Sequence, residues 1–151
     1  MSRIVNILVD ASGSMAEEDK NAVVKYLLNG ICNVSDLSDF DDVSFQLFQW
    51  GKVCKRIEDI ENAKIEFSGK AQKNGLEELA QIIDESRPLL FISDGGFEKE
   101  DRANLRKISE NIVPIFIGID ANRTSLQEIS SSGIVYSVAD FVQAIYEACI
   151  Q

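Results

Sequence analysis

The stretch that decides the fold is Ile4-Val5-Asn6-Ile7-Leu8-Val9-Asp10, followed at once by Ala11-Ser12-Gly13-Ser14-Met15. From Ile4 to Val9 the chain is a nearly unbroken apolar run. Such a run marks a strand buried on both faces. It ends at an aspartate and opens into a dense polar loop. Beyond the loop, Ala16 to Val34 places Val23, Val24, Leu27, Leu28 and Ile31 on one helical face.

The alternation continues downstream. Val43, Phe45 and Leu47 alternate with Ser44 and Gln46 as a second strand. Trp50-Gly51 is expected to turn it into a short third strand around Val53 to Ile57, an antiparallel edge. Leu76, Leu79, Ala80, Ile82 and Ile83 predict the next helix, and Pro88 closes that segment. Leu89 to Ser93 is a compact apolar strand ending at Asp94. A charged helix follows over roughly Glu98 to Asn111, then a buried strand over Ile112 to Ile119 that ends at Asp120. A short helix near Ser125 to Ser130, a strand near Ile134 to Val138 and a helix from Ala139 to Cys149 complete the pattern.

Apolar strands separated by amphipathic helices predict a doubly wound α/β domain. Its central sheet is mostly parallel with one antiparallel edge strand, and helices cover both faces. No repeat, linker or low-complexity tract divides the chain, so residues 1–151 read as one domain. Folds of this class bind ligands beyond the carboxyl ends of the strands, near the point where strand order switches.

Composition removes several classes of function. Lys and Arg total 15 against 25 Asp and Glu, a net charge of −10. A surface this acidic repels phosphate backbones, which argues against nucleic acid as a partner. No apolar run approaches the roughly 18–20 residues that span a bilayer, so no membrane association is expected. Histidine is absent. Ser-His-Asp and Cys-His nucleophile pairs, histidine general bases and His-ligated zinc are therefore excluded. The three cysteines, Cys32, Cys54 and Cys149, are widely spaced and form no C-x-x-C, as expected of unpaired core thiols in a reducing compartment. Met1-Ser2-Arg3 runs directly into the first strand without a signal peptide, and the expected location is cytoplasmic.

Three predicted strands end in an aspartate: Asp10, Asp94 and Asp120. Asp10 opens Asp10-Ala11-Ser12-Gly13-Ser14-Met15, and Asp94 lies in Ser93-Asp94-Gly95-Gly96. Carboxylates and hydroxyls converging at one sheet edge make an all-oxygen site of the kind hard cations such as Mg²⁺ prefer. The same residue types also cap helix N-termini, so capping and ligation both fit the composition. Asp120 enters Ala121-Asn122-Arg123-Thr124, which reads as a turn leading to a capped helix.

The Asp10–Met15 segment matches the D-x-S-G-S motif of von Willebrand factor A (VWA) domains, and Phe91-Ile92-Ser93-Asp94-Gly95 resembles that family's [ST]-D-G motif. The resemblance extends over essentially the whole chain, including the hairpin near Trp50 and the Ile117-Gly118-Ile119 strand. In style the chain is similar to small stand-alone bacterial VWA proteins of the tellurite-resistance-associated type. The resemblance implies a metal-ion-dependent adhesion site (MIDAS) for Mg²⁺ or Mn²⁺, with Ser12 and Ser14 ligating through their hydroxyls and Asp10 and Asp94 directly or through water. The family's further ligand is a threonine before the second large helix. Here that loop, Ser68 to Leu79, has none. Asn74 falls nearest the position, Ser68 is the alternative, and Lys70 and Lys73 bring unfavourable positive charge.

The resemblance further implies ligation without catalysis: a protein partner's acidic side chain completes the metal's shell. Such modules work beside ATPases, kinases or phosphatases in bacterial stress-response systems. Phe97 and Glu17 are candidate partner contacts; their competing readings are a core phenylalanine and a solvated first helical turn. Trp50 is expected to pack the edge hairpin. Two rival functions remain. One is a metal-free VWA scaffold that binds partners through other surfaces. The other is a phosphoryl-transfer enzyme, although Ser12 replaces the second aspartate of a D-x-D nucleophile motif, and neither G-x-x-x-x-G-K-[ST] nor a strand-borne G-x-G-x-x-G occurs.

Overall fold

The computed structural model describes residues 3–150. Strands β1 (Arg3–Asp10), β2 (Val43–Trp50), β3 (Cys54–Ile57), β4 (Leu89–Ser93) and β5 (Ile112–Phe116) form one sheet in the order β3-β2-β1-β4-β5. All neighbours are parallel except β2 and β3. Helices α1 (Lys20–Asn33) and α5 (Phe141–Cys149) lie on one face. Helices α2 (Lys73–Ile82), α3 (Asp101–Ile108) and α4 (Arg123–Ile129) lie on the other. The chain is thus a doubly wound α/β domain with one antiparallel edge strand, as its apolar pattern predicts.

Strand alternation sorts the core into two layers. Val5, Ile7 and Val9 of β1 face α1 and α5, whereas Leu8 faces α2, α3 and α4. Ile7, Leu8 and Val9 are all fully buried. Each such side chain stabilises the fold by roughly 1.5–3 kcal/mol through burial. The central position of β1 explains why its sequence is apolar on both faces.

The expected strand near Ile134 to Val138 is replaced by a single bridge between Ile115 and Tyr136. Two hydrogen bonds hold it, Phe116 N–H to Tyr136 O at 2.9 Å and Tyr136 N–H to Pro114 O at 3.0 Å. Serine side chains take the backbone groups that a ladder would use. Ser132 Oγ accepts from Ile134 N–H, and Ser130 Oγ donates to Ile134 O. Pro114 adds no donor to this edge. The helix expected from Ala16 starts only at Lys20. The preceding Gly13–Asp19 segment is a 3₁₀ turn with Glu17 extended and Glu18 and Asp19 left-handed. The charged helix after β4 is also shorter than expected, Asp101–Ile108.

Trp50 is fully buried and packs the β2–β3 hairpin as expected. Its Nε1–H donates to Gln72 O at 2.7 Å, which fastens the hairpin to the approach of α2. The three cysteines are unpaired and partly buried. Burial pushes the Cys54 thiol up to about 12. Among the described residues no helix is long and apolar enough to cross a membrane.

Two outcomes follow from this packing. Trp50→Ala removes a buried aromatic and orphans the Gln72 carbonyl, so urea unfolding should show a loss of about 3–5 kcal/mol. Cys54 should resist alkylation at pH 8 until the protein is unfolded, because its thiolate fraction there is only on the order of 10⁻⁴; mass spectrometry of native and denatured samples checks this.

Candidate functional site

The sheet order places the site. The chain leaves β1 through α1 toward β2, and leaves β4 through α3 toward β5, so the connections diverge between the adjacent strands β1 and β4. Asp10 ends β1, while Ser93 ends β4 and is followed by Asp94. The strand-end carboxylates that lie far apart in sequence meet at this switch point.

Asp10 is 1% exposed. Its Oδ1 accepts from Ser12 N–H at 3.0 Å, and its Oδ2 accepts from Ser93 Oγ at 2.7 Å. Burial raises its pKa above the ordinary carboxylate range, although the bonds from Ser93 and Ser12 oppose that rise. No ion pair to Asp10 occurs among the described residues. Ser12 Oγ and Ser14 Oγ lie 3.1 Å apart. Ser12 makes no side-chain cap to the 3₁₀ turn, so capping leaves both hydroxyls unexplained. Backbone bonds fix this loop: Ala11 N–H to Trp50 O, Gly13 N–H to Gly69 O, and Ser68 N–H to Ala11 O.

Asp94 is also buried. Its Oδ1 accepts from Gly96 N–H at 3.0 Å. Its main-chain carbonyl accepts from Asn122 N–H at 2.7 Å, tying this loop to the start of α4. Gly95 makes the approach possible: its φ is +80°, and a Cβ there would run into the Asn122 main chain. Asn122 caps α4 by accepting from Ser125 N–H, a role the sequence pattern left to the Asp120 turn.

A cavity of about 20 Å³ opens between the two carboxyl-end loops, lined by Asp10, Ser12, Gly96 and Phe97 together with Lys70 and Ala71. That is room for one water or one ion. Lys70 pairs with Glu98 at its rim. Phe97 takes part in the aromatic core and also borders the cavity. It stacks within 5.7 Å of Phe91 and 6.4 Å of Trp50, is only half-buried, and lines the cavity. Glu17 is exposed beside the loop. Asn74 does not reach the cavity lining; it stands exposed on the first turn of α2. The chain segment that does line it is Lys70-Ala71, because the Gly13–Gly69 and Ala11–Ser68 bonds draw the loop in ahead of the helix.

Lys20 is the residue that sequence reasoning missed. It is 2% exposed, and its ammonium lies 3.2 Å from Asp94 Oδ2, 3.0 Å from Asp120 Oδ1 and 3.4 Å from Ser14 O. Burial opposes its charge, but the hydrogen bonds to Asp120 and Asp94 prevail and raise its pKa. Asp120, half-exposed, is pulled below the ordinary range mainly by that same bond. One signal was available: Lys20, Val24, Leu27, Leu28 and Ile31 share the helical spacing of a buried stripe.

Among the described residues no group of three or more His, Cys, Asp or Glu side chains is arranged to hold a metal. Of the two carboxylates and two hydroxyls at this edge, Asp10 and Ser12 line the cavity, whereas Ser14 and Asp94 lie outside its lining, with Asp94 paired to Lys20. The set still suits a single hard cation, because Asp10 is buried without a positive partner beside an ion-sized cavity.

No family model matches the chain, and no curated protein matches its sequence. Solved structures do. An aerotolerance-related membrane protein from Bacteroides fragilis superposes with a TM-score of 0.73 at 15% identity, over 97% of this chain and 98% of that one. The ArnB paralog VWA2 from Sulfolobus acidocaldarius gives 0.65 at 16% identity, over 95% of this chain and 44% of its own. Proximal thread matrix protein 1 from the mussel byssus, described with a zinc-occupied MIDAS motif, gives 0.63 at 14% identity, over 97% and 44%. The chain spans under half the length of these last two structures.

Gly95→Ala forces a left-handed conformation on alanine and a collision with the Asn122 backbone. Urea unfolding should show a loss of roughly 2–4 kcal/mol. The strand order, the diverging connections and these superpositions together establish that the chain has the VWA fold.

Proposed function

We propose that this chain is a non-catalytic protein-interaction module that engages its partner through one Mg²⁺ or Mn²⁺ ion held by Asp10, Ser12, Ser14 and Asp94. The observation that carries the reading is Asp10. A carboxylate this deeply buried, with no cationic partner, faces an ion-sized cavity beside two hydroxyls that helix capping leaves free. When bound, the ion supplies positive charge that an acidic side chain of the partner can share. On a chain of net charge −10 this explains how two acidic surfaces could meet.

The protein's own residues do the positioning. Ser93 Oγ and Ser12 N–H orient the two oxygens of Asp10. Gly96 N–H orients Asp94. The half-buried Phe97 and the fully exposed Ile119, next to Asp120, supply apolar contacts on the same edge of the sheet. The partner is a protein that projects Glu or Asp, in keeping with a cytoplasmic stress-response or regulatory assembly containing an ATPase, kinase or phosphatase. The absence of histidine leaves Ser12 and Ser14 without a base for acyl chemistry, and the absence of a strand-end D-x-D and of G-x-x-x-x-G-K-[ST] argues against phosphoryl transfer, which supports a binding role.

A second reading is favoured by Lys20. Its ammonium already neutralises part of the site, which is what a metal-free VWA scaffold would need.

Calorimetric titration of Mg²⁺ and Mn²⁺ separates the two. Saturable one-site binding by the native protein, abolished in an Asp10→Ala/Ser12→Ala double variant that keeps its native circular dichroism, is the expected result. Absence of binding heat in both proteins would overturn the metal-dependent reading in favour of the scaffold. Phosphate release from nucleotide or phosphomonoester substrates in Mg²⁺ should stay at the buffer rate, and turnover would overturn the non-catalytic assignment.

A further inference from the structure

Lys20 is unusual for its depth. A lysine 2% exposed is desolvated, and such a charge persists only when paired. The fold builds a seat for it. Glu18 and Asp19 adopt φ of 51° and 63°, successive left-handed conformations that L-residues enter at a cost. They re-aim the chain so that the first residue of α1 points into the carboxyl edge of the sheet. On the far side, Gly118 at φ +89° leaves space for the stem: a Cβ there would come within 2.7 Å of Lys20 Cε and 2.8 Å of Asp120 Oδ1. Strained backbone on one side and a missing side chain on the other both serve the same ammonium.

Its partners differ. Asp94 is buried, whereas the Asp120 side chain is 52% exposed. Lys20 therefore bridges a site carboxylate and a solvent-side carboxylate. Counted against Asp120, the ammonium leaves Asp10 and Asp94 with two negative charges, which match one divalent cation. Counted against Asp94, it opposes a second cation at the same oxygen.

We infer that Lys20 is a tethered counter-ion that competes with the divalent cation for Asp94 and yields to it by shifting its ammonium onto Asp120. The inference rests on the metal-dependent reading above and adds regulation to it. Without metal, Lys20 keeps Asp94 paired and the site folded. With metal, the ion takes Asp94, and the ammonium remains neutralised by Asp120 at the solvent side. Metal affinity is set below what the oxygen ligands alone would give, so occupancy becomes sensitive to anything that draws Lys20 away, a partner's carboxylate included.

The test is the same calorimetric titration extended to Lys20→Met, with thermal unfolding of each protein with and without Mg²⁺. Lys20→Met should bind Mg²⁺ roughly tenfold tighter or more than the native protein. It should also melt lower without metal and gain more in Tm from saturating Mg²⁺. In the native protein, acylation of Lys20 by a water-soluble ester, read by mass spectrometry, should speed up roughly threefold or more when Mg²⁺ saturates the site, because the side chain has moved toward solvent. Equal affinities in native and variant proteins would overturn the inference and leave the metal-dependent module standing. No binding by either protein would overturn both. If Lys20→Met does not fold, the acylation rate of the native protein decides: an unchanged rate at Mg²⁺ saturation overturns the inference.

Discussion

Burying two aspartates where strands β1 and β4 end is the constraint around which this edge of the molecule is arranged. A desolvated carboxylate is costly unless hydrogen bonds or positive charge meet it. Each device at the carboxyl edge answers that cost. Ser93 and the Ser12 amide hold Asp10, the Gly96 amide and the Lys20 ammonium hold Asp94, and Asp120 anchors the ammonium. The loops follow from these bonds. The turn after β4 needs a glycine at residue 95 to bring the Asp94 carbonyl onto Asn122, and the approach to α1 accepts two left-handed residues to seat Lys20.

The two buried carboxylates are compensated unequally. Asp94 has an ammonium at 3.2 Å. Asp10 has hydrogen bonds but no ion pair, and burial holds its pKa up. Asp94 is thus neutralised within the protein, whereas Asp10 faces the cavity with hydrogen bonds alone. Aromatic packing makes the arrangement stiff: Trp50, Phe91 and Phe97 lie within 6.4 Å of one another under the cavity, and Trp50 also ties the hairpin to the loop that lines it.

Much of the fold was legible because its signals are local and repeated. The β1 run, the β2 alternation and the buried stripe of α1 each follow from the period of the element they form. The apolar residues near Tyr136 suit an edge strand, but the serines at 130 and 132 capture the Ile134 backbone groups first, so only a single bridge forms. Sequence position puts Asn74 nearest the missing threonine, but the loop is drawn into the cavity by backbone bonds to Ala11 and Gly13, which leave no trace in residue type.

The sequence by itself determined the strand–helix alternation, the absence of histidine chemistry and the pairing of an aspartate with two serines in one loop. These depend on composition and on neighbours a few residues apart. Only the tertiary structure decided which strand ends adjoin, that Asp120 lies within reach of Asp94 through Lys20, and that a lysine on an apolar stripe points at carboxylates 74 and 100 residues away. The physical reason is that desolvation and Coulomb attraction act through space. Their balance at Lys20 is set by a glycine, a pair of strained residues and a sheet order that no local pattern encodes.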